Sequence, residues 1–430
     1  MTRRPLRDCP LHQHAIRRLP PSGNAAGASR DLRGGQDMLG IKRSAAALSL
    51  AGLALAHAAN ADTRPELRIG VVSSMTGGAS AIAAGAVATI NLMQERLGQD
   101  AELPFRVTFV KYDDGSDPAR AVNAARKLIQ EDRVHLVICC TTTPASLAVN
   151  KVIEEEKTPN LSLASAAAVI EPADQHRFTF KTPLTDRLMI VRTVDYLRSK
   201  GYRTVAFMGL EDSYGEGGWV EFQRIAGEKG MKIVSAERFA RGDTNFTPQA
   251  MRVVRQKPDA VYVHAIPPSS ALAHESLRRV GFGGEILHGA GSSTAALIAV
   301  GKKAIEGAVV GTAALTVYRQ LPASHPIKPV VERFVGLYEG KYGAGKADLF
   351  AAQAYDTVNI PVAAYRQVVA AGKASGLAQA RLALRDAIEQ TREYVGVTGI
   401  YNYSPQDHLG LDGRSTFLAI VRNGNFELLK

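Results

Sequence analysis

From Leu67 onward, apolar runs of strand length alternate with stretches whose apolar residues recur at helical spacing. LRIGVV (67–72), FRVTFV (105–110), VHLVI (134–138) and NLSL (160–163) predict strands. Helices are predicted over 85–97 and 145–156. A third, around Ala121, Val122, Ala125, Leu128 and Ile129, has its apolar residues on one face, with Asp117-Pro118 as N-cap and first turn. A second series starts after Phe178. It predicts helices at 185–200, 216–229, 247–257 and 269–280, with strands TVAFMG (204–209), 232–239, AVYVHA (260–265) and 285–288. Further helices are predicted near 326–342, 348–371 and 376–391. A terminal hairpin, FLAIV and FELLK, turns at Asn423-Gly424. Strands without polar alternation, set between amphipathic helices, indicate parallel sheets covered on both faces. The expected fold class is α/β, with two doubly wound parallel-sheet lobes and a cleft between them.

Composition changes this picture little. The 430 residues are 46% hydrophobic and 22% charged, as in an ordinary globular chain. The net charge of +11 suggests a nucleic-acid partner until it is mapped. Residues 1–61 carry nine Lys/Arg against three Asp/Glu, and the other 43 basic and 38 acidic residues are scattered. No basic-aromatic stripe for nucleic acid results, and none is expected to bind. Lys42-Arg43, the apolar stretch Ser44–Ala56 and Ala59-Asn60-Ala61 have the order of a secretory signal peptide. Met38 would begin a signal of ordinary length, so 1–37 is read as an upstream extension. Residues 38–61 are read as the signal, and the mature chain is expected to begin near Asp62, in the periplasm. Three cysteines exclude a disulfide framework, and the adjacent Cys139-Cys140 is not expected to bridge.

LRIGVVSSMTG (67–77), KYDDGSDP (111–118), DSYGEG (212–217), PDAVY (258–262) and Tyr355-Asp356 occur in an order and spacing that resemble one family. It is that of the periplasmic substrate-binding proteins of branched-chain-amino-acid-type ABC transporters. The resemblance covers residues 66–430. It implies two lobes joined by three crossings, an N-terminal lobe of 62–184 and 316–394, and a C-terminal lobe of 185–315 and 395–430. It also implies a ligand held in the cleft by lobe closure, permease subunits at the membrane as partners, a monomer, and no catalytic residues, cofactor or metal.

The resemblance further implies that the loop after Ile138 binds a ligand carboxylate, with Thr142 and Thr143 in place of the family's serines. A helix starting near Pro144 would present free N–H groups and its positive dipole end there. Thr142 could equally cap that helix. In the next loop Ala166 stands close to a family threonine, and Ser165 supplies the hydroxyl if the register shifts by one. Tyr214 matches a ligand-contacting aromatic. Ala290 falls where the amino-acid binders place the acid for the ligand ammonium, with Glu285 as the nearest alternative acid. Ile82 and Ile266 fall at aromatic positions. His264 and His288 are candidate contacts, or satisfied structural histidines. The expected ligand is therefore a small organic acid with an apolar or aromatic body. The alternatives are an aliphatic amino-acid or amide binder, and a sensing lobe that signals through a membrane partner. Asp113, Asp114 and Asp117 read as a capped turn rather than a metal site. GAGSS (289–293) lacks the full dinucleotide fingerprint, and no hydrolase, kinase or zinc motif occurs.

Overall fold

The computed structural model describes residues 63–430, of which Arg64–Lys430 form one compact unit. The export segment read at Lys42–Ala61, and Cys9, lie outside the described residues. Five parallel strands make the first sheet: β1 (Glu66–Ser73), β2 (Arg106–Asp113), β3 (Leu136–Cys139), β4 (Asn160–Ser162) and β5 (Thr179–Lys181). Their order is β2-β1-β3-β4-β5. The second sheet is built from β6 (Thr204–Leu210), β7 (Lys232–Phe239), β8 (Ala260–His264), β9 (Glu285–His288) and β10 (Val309–Thr312). A pair β11 (Tyr394–Val395) and β12 (Ile400–Tyr401) stands apart. The terminal hairpin β13 (Phe417–Arg422) and β14 (Asn425–Leu428) adds antiparallel to β10, giving the order β14-β13-β10-β9-β8-β6-β7.

The apolar runs are buried for the expected reason. All four residues of β3 and all five of β8 are buried, because helices cover both faces of each sheet. Helix Pro118–Gln130 starts where Asp117 accepts the Arg120 N–H at 2.9 Å, and its Ala121, Ala125, Leu128 and Ile129 are buried. Asp113 and Asp114 accept N–H groups of Gly115 and Ser116, so the acidic cluster is a turn.

Each sheet reverses its strand order once, between β1 and β3 and between β6 and β8. In open α/β sheets the crevice outside the carboxyl ends of the strands at such a reversal is where ligands bind. The loops after Ser73, Cys139, Leu210 and His264 therefore define the site.

The chain passes between the sheets three times: after β5, after β10, and before β13. Helices Leu349–Ala370 and Leu377–Glu389 return to the first lobe. The former packs along helix Ser80–Gly98, and Arg381 of the latter donates to the carbonyls of Ile129 and Val134. The last boundary differs from the expected 395. Tyr403 OH donates to Lys181 O, Lys181 N–H donates to His408 O, and the Phe180 and His408 rings stack at 4.2 Å. Residues 401–410 thus cover the open edge of β5, and the chain joins the second sheet only at Phe417.

Candidate functional site

On the first lobe the site is a loop braced from below. Thr141 Oγ1 lies 2.8 Å from Ser73 Oγ, joining the ends of β1 and β3. Ser146 Oγ accepts the Cys140 N–H at 3.2 Å and lies 3.0 Å from Ser162 Oγ, which ties in the next loop. Cys139 and Cys140, expected to stay unbridged, are joined through their sulfurs. Helix Thr143–Glu155 then begins, with Thr142 as an extended N-cap residue. The Thr142 side chain makes no capping bond, contrary to its reading as a simple cap. Ser146 N–H, bonded to Thr142 O at 3.0 Å, is the first to find a helical acceptor, so the N–H groups ahead of it remain open to a ligand.

The second lobe supplies the facing wall. Asp212 Oδ1 accepts the N–H groups of Tyr214 and Gly215 at 3.0 and 3.1 Å, capping helix Ser213–Glu228. Its Oδ2 pairs with Arg241 Nη2, on the loop after β7. Tyr214 lies over His264 with ring centroids 4.3 Å apart, and His264 Nδ1 lies 3.2 Å from Tyr262 OH. Tyr214 is only 7% exposed, yet its hydroxyl has no partner, and neither has Arg241 Nη1.

One cleft gathers these walls. It is lined by Ile82, Thr141, Thr142, Thr143, Leu163, Ala164, Ser165, Tyr214, Arg241, Ile266, Gly291 and Phe350, and its cavity volume with the lobes in this position is about 30 Å³. Ile82 belongs to a first-lobe helix but packs against the apolar cluster of the second lobe, so the lobes already touch there. A wider depression near Arg96, Asp100, Asn359 and Arg366 is lined from the first lobe alone, so lobe closure would not act on it.

Six of the nine residues singled out from sequence thus line one cavity: Ile82, Thr142, Thr143, Ser165, Tyr214 and Ile266. Three do not. Ala166 is turned inward, 1% exposed, and a Cβ built on Gly217 would meet it at 3.6 Å, so it faces the other lobe rather than the cavity. His264 is fully buried beneath Tyr214, which takes the position in the cavity. Ala290 packs toward the first-lobe core, and the next residue, Gly291, lines the cavity in its place. His288 pairs with His274 at 2.9 Å and is structural. Glu285 sits at the start of β9, at the end of the strand remote from the cleft. It accepts the Tyr196 hydroxyl there, so it supplies no acid to the cavity.

Sequence reasoning missed Arg241, Phe350 and Lys181. Lys181 is fully buried, and its Nζ donates to the carbonyls of Ser165 and Ala166, fixing the second contact loop from beneath. Burial pulls its pKa down to about 7, opposed by the nearby Asp186. Unfolded, a lysine keeps its proton to about 10.4. Between these values the unfolded chain binds more protons, so this site's contribution to stability rises with pH. The unfolding free energy of wild type, taken relative to Lys181→Met, should rise by up to about 1.4 kcal/mol per pH unit above pH 7. Urea denaturation at pH 6.5, 7.5 and 8.5 checks this, and a flat difference would refute it.

Residues 66–425 match the periplasmic binding protein family over most of the chain. The chain belongs to this family. Among curated relatives, the Leu/Ile/Val/Thr-binding protein of Salmonella typhimurium is 24% identical over 291 residues, 65% of this chain and 75% of that one. Among solved structures, an extracellular ligand-binding receptor from Rhodopseudomonas palustris HaA2 is 30% identical, with a TM-score of 0.79, covering 85% of this chain and all of that one. A leucine binding protein from Thermotoga maritima is 26% identical, with a TM-score of 0.72 over 85% of this chain and 98% of that one. The two-lobe α/β architecture read from the sequence is the one these structures share.

Proposed function

We propose that this chain is an exported solute receptor, not an enzyme, that closes its lobes on a small carboxylate with a branched or aromatic apolar body. It would hand that ligand to the membrane permease of an ABC importer. One observation carries the ligand class. The cavity offers open donors at Thr142 and Thr143 and apolar surface at Ile82, Leu163, Ile266 and Phe350, while no carboxylate lines it. Asp212, beside it, already serves the helix cap and Arg241. An ammonium entering this space would lose its hydration without gaining an ion pair. An apolar body would bury its surface at about 25 cal/mol per Å².

The second reading is an aliphatic amino-acid binder, favoured by the ligands in the relatives' names. Calorimetric titration of benzoate, phenylacetate, 4-methyl-2-oxopentanoate and leucine separates the two. Tight leucine binding with no response to the amine-free acids would overturn the proposed ligand class and leave the receptor role intact. Replacing Thr142 and Thr143 together with alanine removes two hydroxyls and leaves the backbone donors. At about 1.5–3 kcal/mol for a hydrogen bond to a charged group, binding should weaken at least about tenfold. Unchanged affinity in a folded double variant would exclude these residues as the carboxylate site. Permease and ATPase genes beside this one would favour import, and a sensor kinase gene would favour signalling.

A further inference from the structure

The cavity has polar groups on both walls, and the second-lobe pair is unused. Arg241 Nη1 and Tyr214 Oη are both shielded from solvent, and neither has a hydrogen-bond partner. Both residues line the cavity that Thr142 and Thr143 enter from the other lobe. Tyr214 is 93% buried by its 7% exposure, so its free hydroxyl is not a surface group. A charged or phenolic donor left unsatisfied in a buried place carries a penalty that folding ordinarily avoids. The two aspartates beside Arg241 are committed. Asp212 Oδ1 takes two backbone N–H groups and its Oδ2 takes Arg241 Nη2, while Asp243 turns back to the Ala240 N–H. His264, under the Tyr214 ring, directs Nδ1 to Tyr262, while its Nε2 and Asp186 Oδ2 beside it also lack a hydrogen-bond partner. A ligand in the cavity that both residues line is the acceptor that would complete Arg241 and Tyr214 together.

We propose that Arg241 and Tyr214 form a second acceptor subsite, so that the preferred ligands are dicarboxylates: one carboxylate at Thr142 and Thr143, an apolar body across Ile82, Ile266 and Phe350, and a second carboxylate on Arg241 and Tyr214. This rests on the carboxylate reading given above and narrows it. A guanidinium edge and a phenol make charge-assisted hydrogen bonds to a carboxylate, whereas the guanidinium repels an ammonium. The two ends lie on different lobes, so a ligand with an oxygen group at each end gains its full set of bonds only when the lobes are closed. Selectivity and closure are then the same event.

Matched acids test the proposal. Benzoate is compared with benzene-1,4-dicarboxylate, and 4-methylpentanoate with 2-methylglutarate, in which one methyl is replaced by a carboxylate. Each is titrated calorimetrically into wild type, Arg241→Gln and Tyr214→Phe. In at least one pair the diacid should bind wild type roughly tenfold or more tightly than its monoacid. Arg241→Gln should bring that ratio close to one, and Tyr214→Phe, which keeps the ring over His264, should reduce it severalfold. Equal wild-type affinities within both pairs, or a ratio that survives both substitutions, would overturn the second subsite while the monocarboxylate site stands. Leucine binding with no acid of either kind bound would instead remove the carboxylate reading itself. Should Arg241→Gln fail to fold, Tyr214→Phe and the wild-type ratio still decide.

Discussion

Gly215→Ala should destabilise the protein by about 3 kcal/mol or more and remove ligand binding, the combined effect of overpacking and a lost helix cap. A Cβ at this position would stand 1.7 Å from the Leu210 carbonyl oxygen and 2.5 Å from its carbon. Both are backbone atoms of β6, which lies between β7 and β8 in the sheet and cannot give way like a flexible side chain. The helix would have to lift off the strand instead. That would pull the Gly215 N–H from Asp212, loosen the Asp212–Arg241 pair, and shift Tyr214 from its place over His264. Gly217→Ala is the control. Its Cβ would meet only Ala166, at an ordinary 3.6 Å, so its stability should stay within about 1 kcal/mol of wild type. Chemical denaturation of both variants makes the comparison. A Gly215→Ala variant as stable as Gly217→Ala would show that the strand end yields, contrary to this account.

The same geometry explains why DSYGEG is legible in the amino-acid sequence. Its aspartate, tyrosine and first glycine act within one turn, so cap, ring and close approach are encoded locally. The long strands are legible because burial on both faces leaves no polar alternation, as in β8. The short strand β5, Thr179–Lys181, is not, since three residues ending in a lysine give no apolar run. Nor is β10, whose Val309–Thr312 is too brief to stand out from neighbouring Gly and Ala. Within the site, Thr142 and Tyr214 are reached through the family resemblance, and both lie at strand-to-helix turns. Arg241 and Phe350 reach the cavity from the loop after β7 and from the first turn of helix Leu349–Ala370, far apart in the chain. One signal exists for Arg241. Any residue just past the carboxyl end of a strand near a sheet reversal faces the crevice, and a cation there is a candidate ligand contact. For Lys181 there is none, because a buried lysine inside a strand runs against composition rules.

Asp356→Ala should cost about 3–5 kcal/mol, because it strips the acceptor from two buried backbone N–H groups at once and a partner from the Tyr401 hydroxyl. Asp356 Oδ1 accepts the Val397 N–H at 2.8 Å, and Oδ2 accepts the Thr398 N–H at 2.7 Å and the Tyr401 hydroxyl at 3.1 Å. Tyr401 also donates to Thr182 O, just past β5, and Thr182 Oγ1 lies 2.6 Å from Thr357 Oγ1. The segment leaving the first lobe, the helix that returns to it and the strand pair before the last crossing are thus knotted around one carboxylate. Gly396 is part of the knot, since a Cβ there would fall 2.7 Å from the Asp356 carboxylate. Burial raises this carboxyl to about 6, against the pull of the Thr398 and Val397 N–H groups. A raised folded pKa means the native chain holds more protons than the unfolded one between about 3.9 and that value, so this site favours folding more at pH 5 than at pH 7. Asp356→Asn keeps one acceptor oxygen but turns an NH2 toward a backbone N–H. It should therefore fall between wild type and Asp356→Ala and lose the pH-dependent part. Urea denaturation of the two variants at pH 5 and pH 7 reads both effects. A loss under about 1 kcal/mol in Asp356→Ala would mean that water replaces the carboxylate at no great cost, and that the crossings are held together by packing alone.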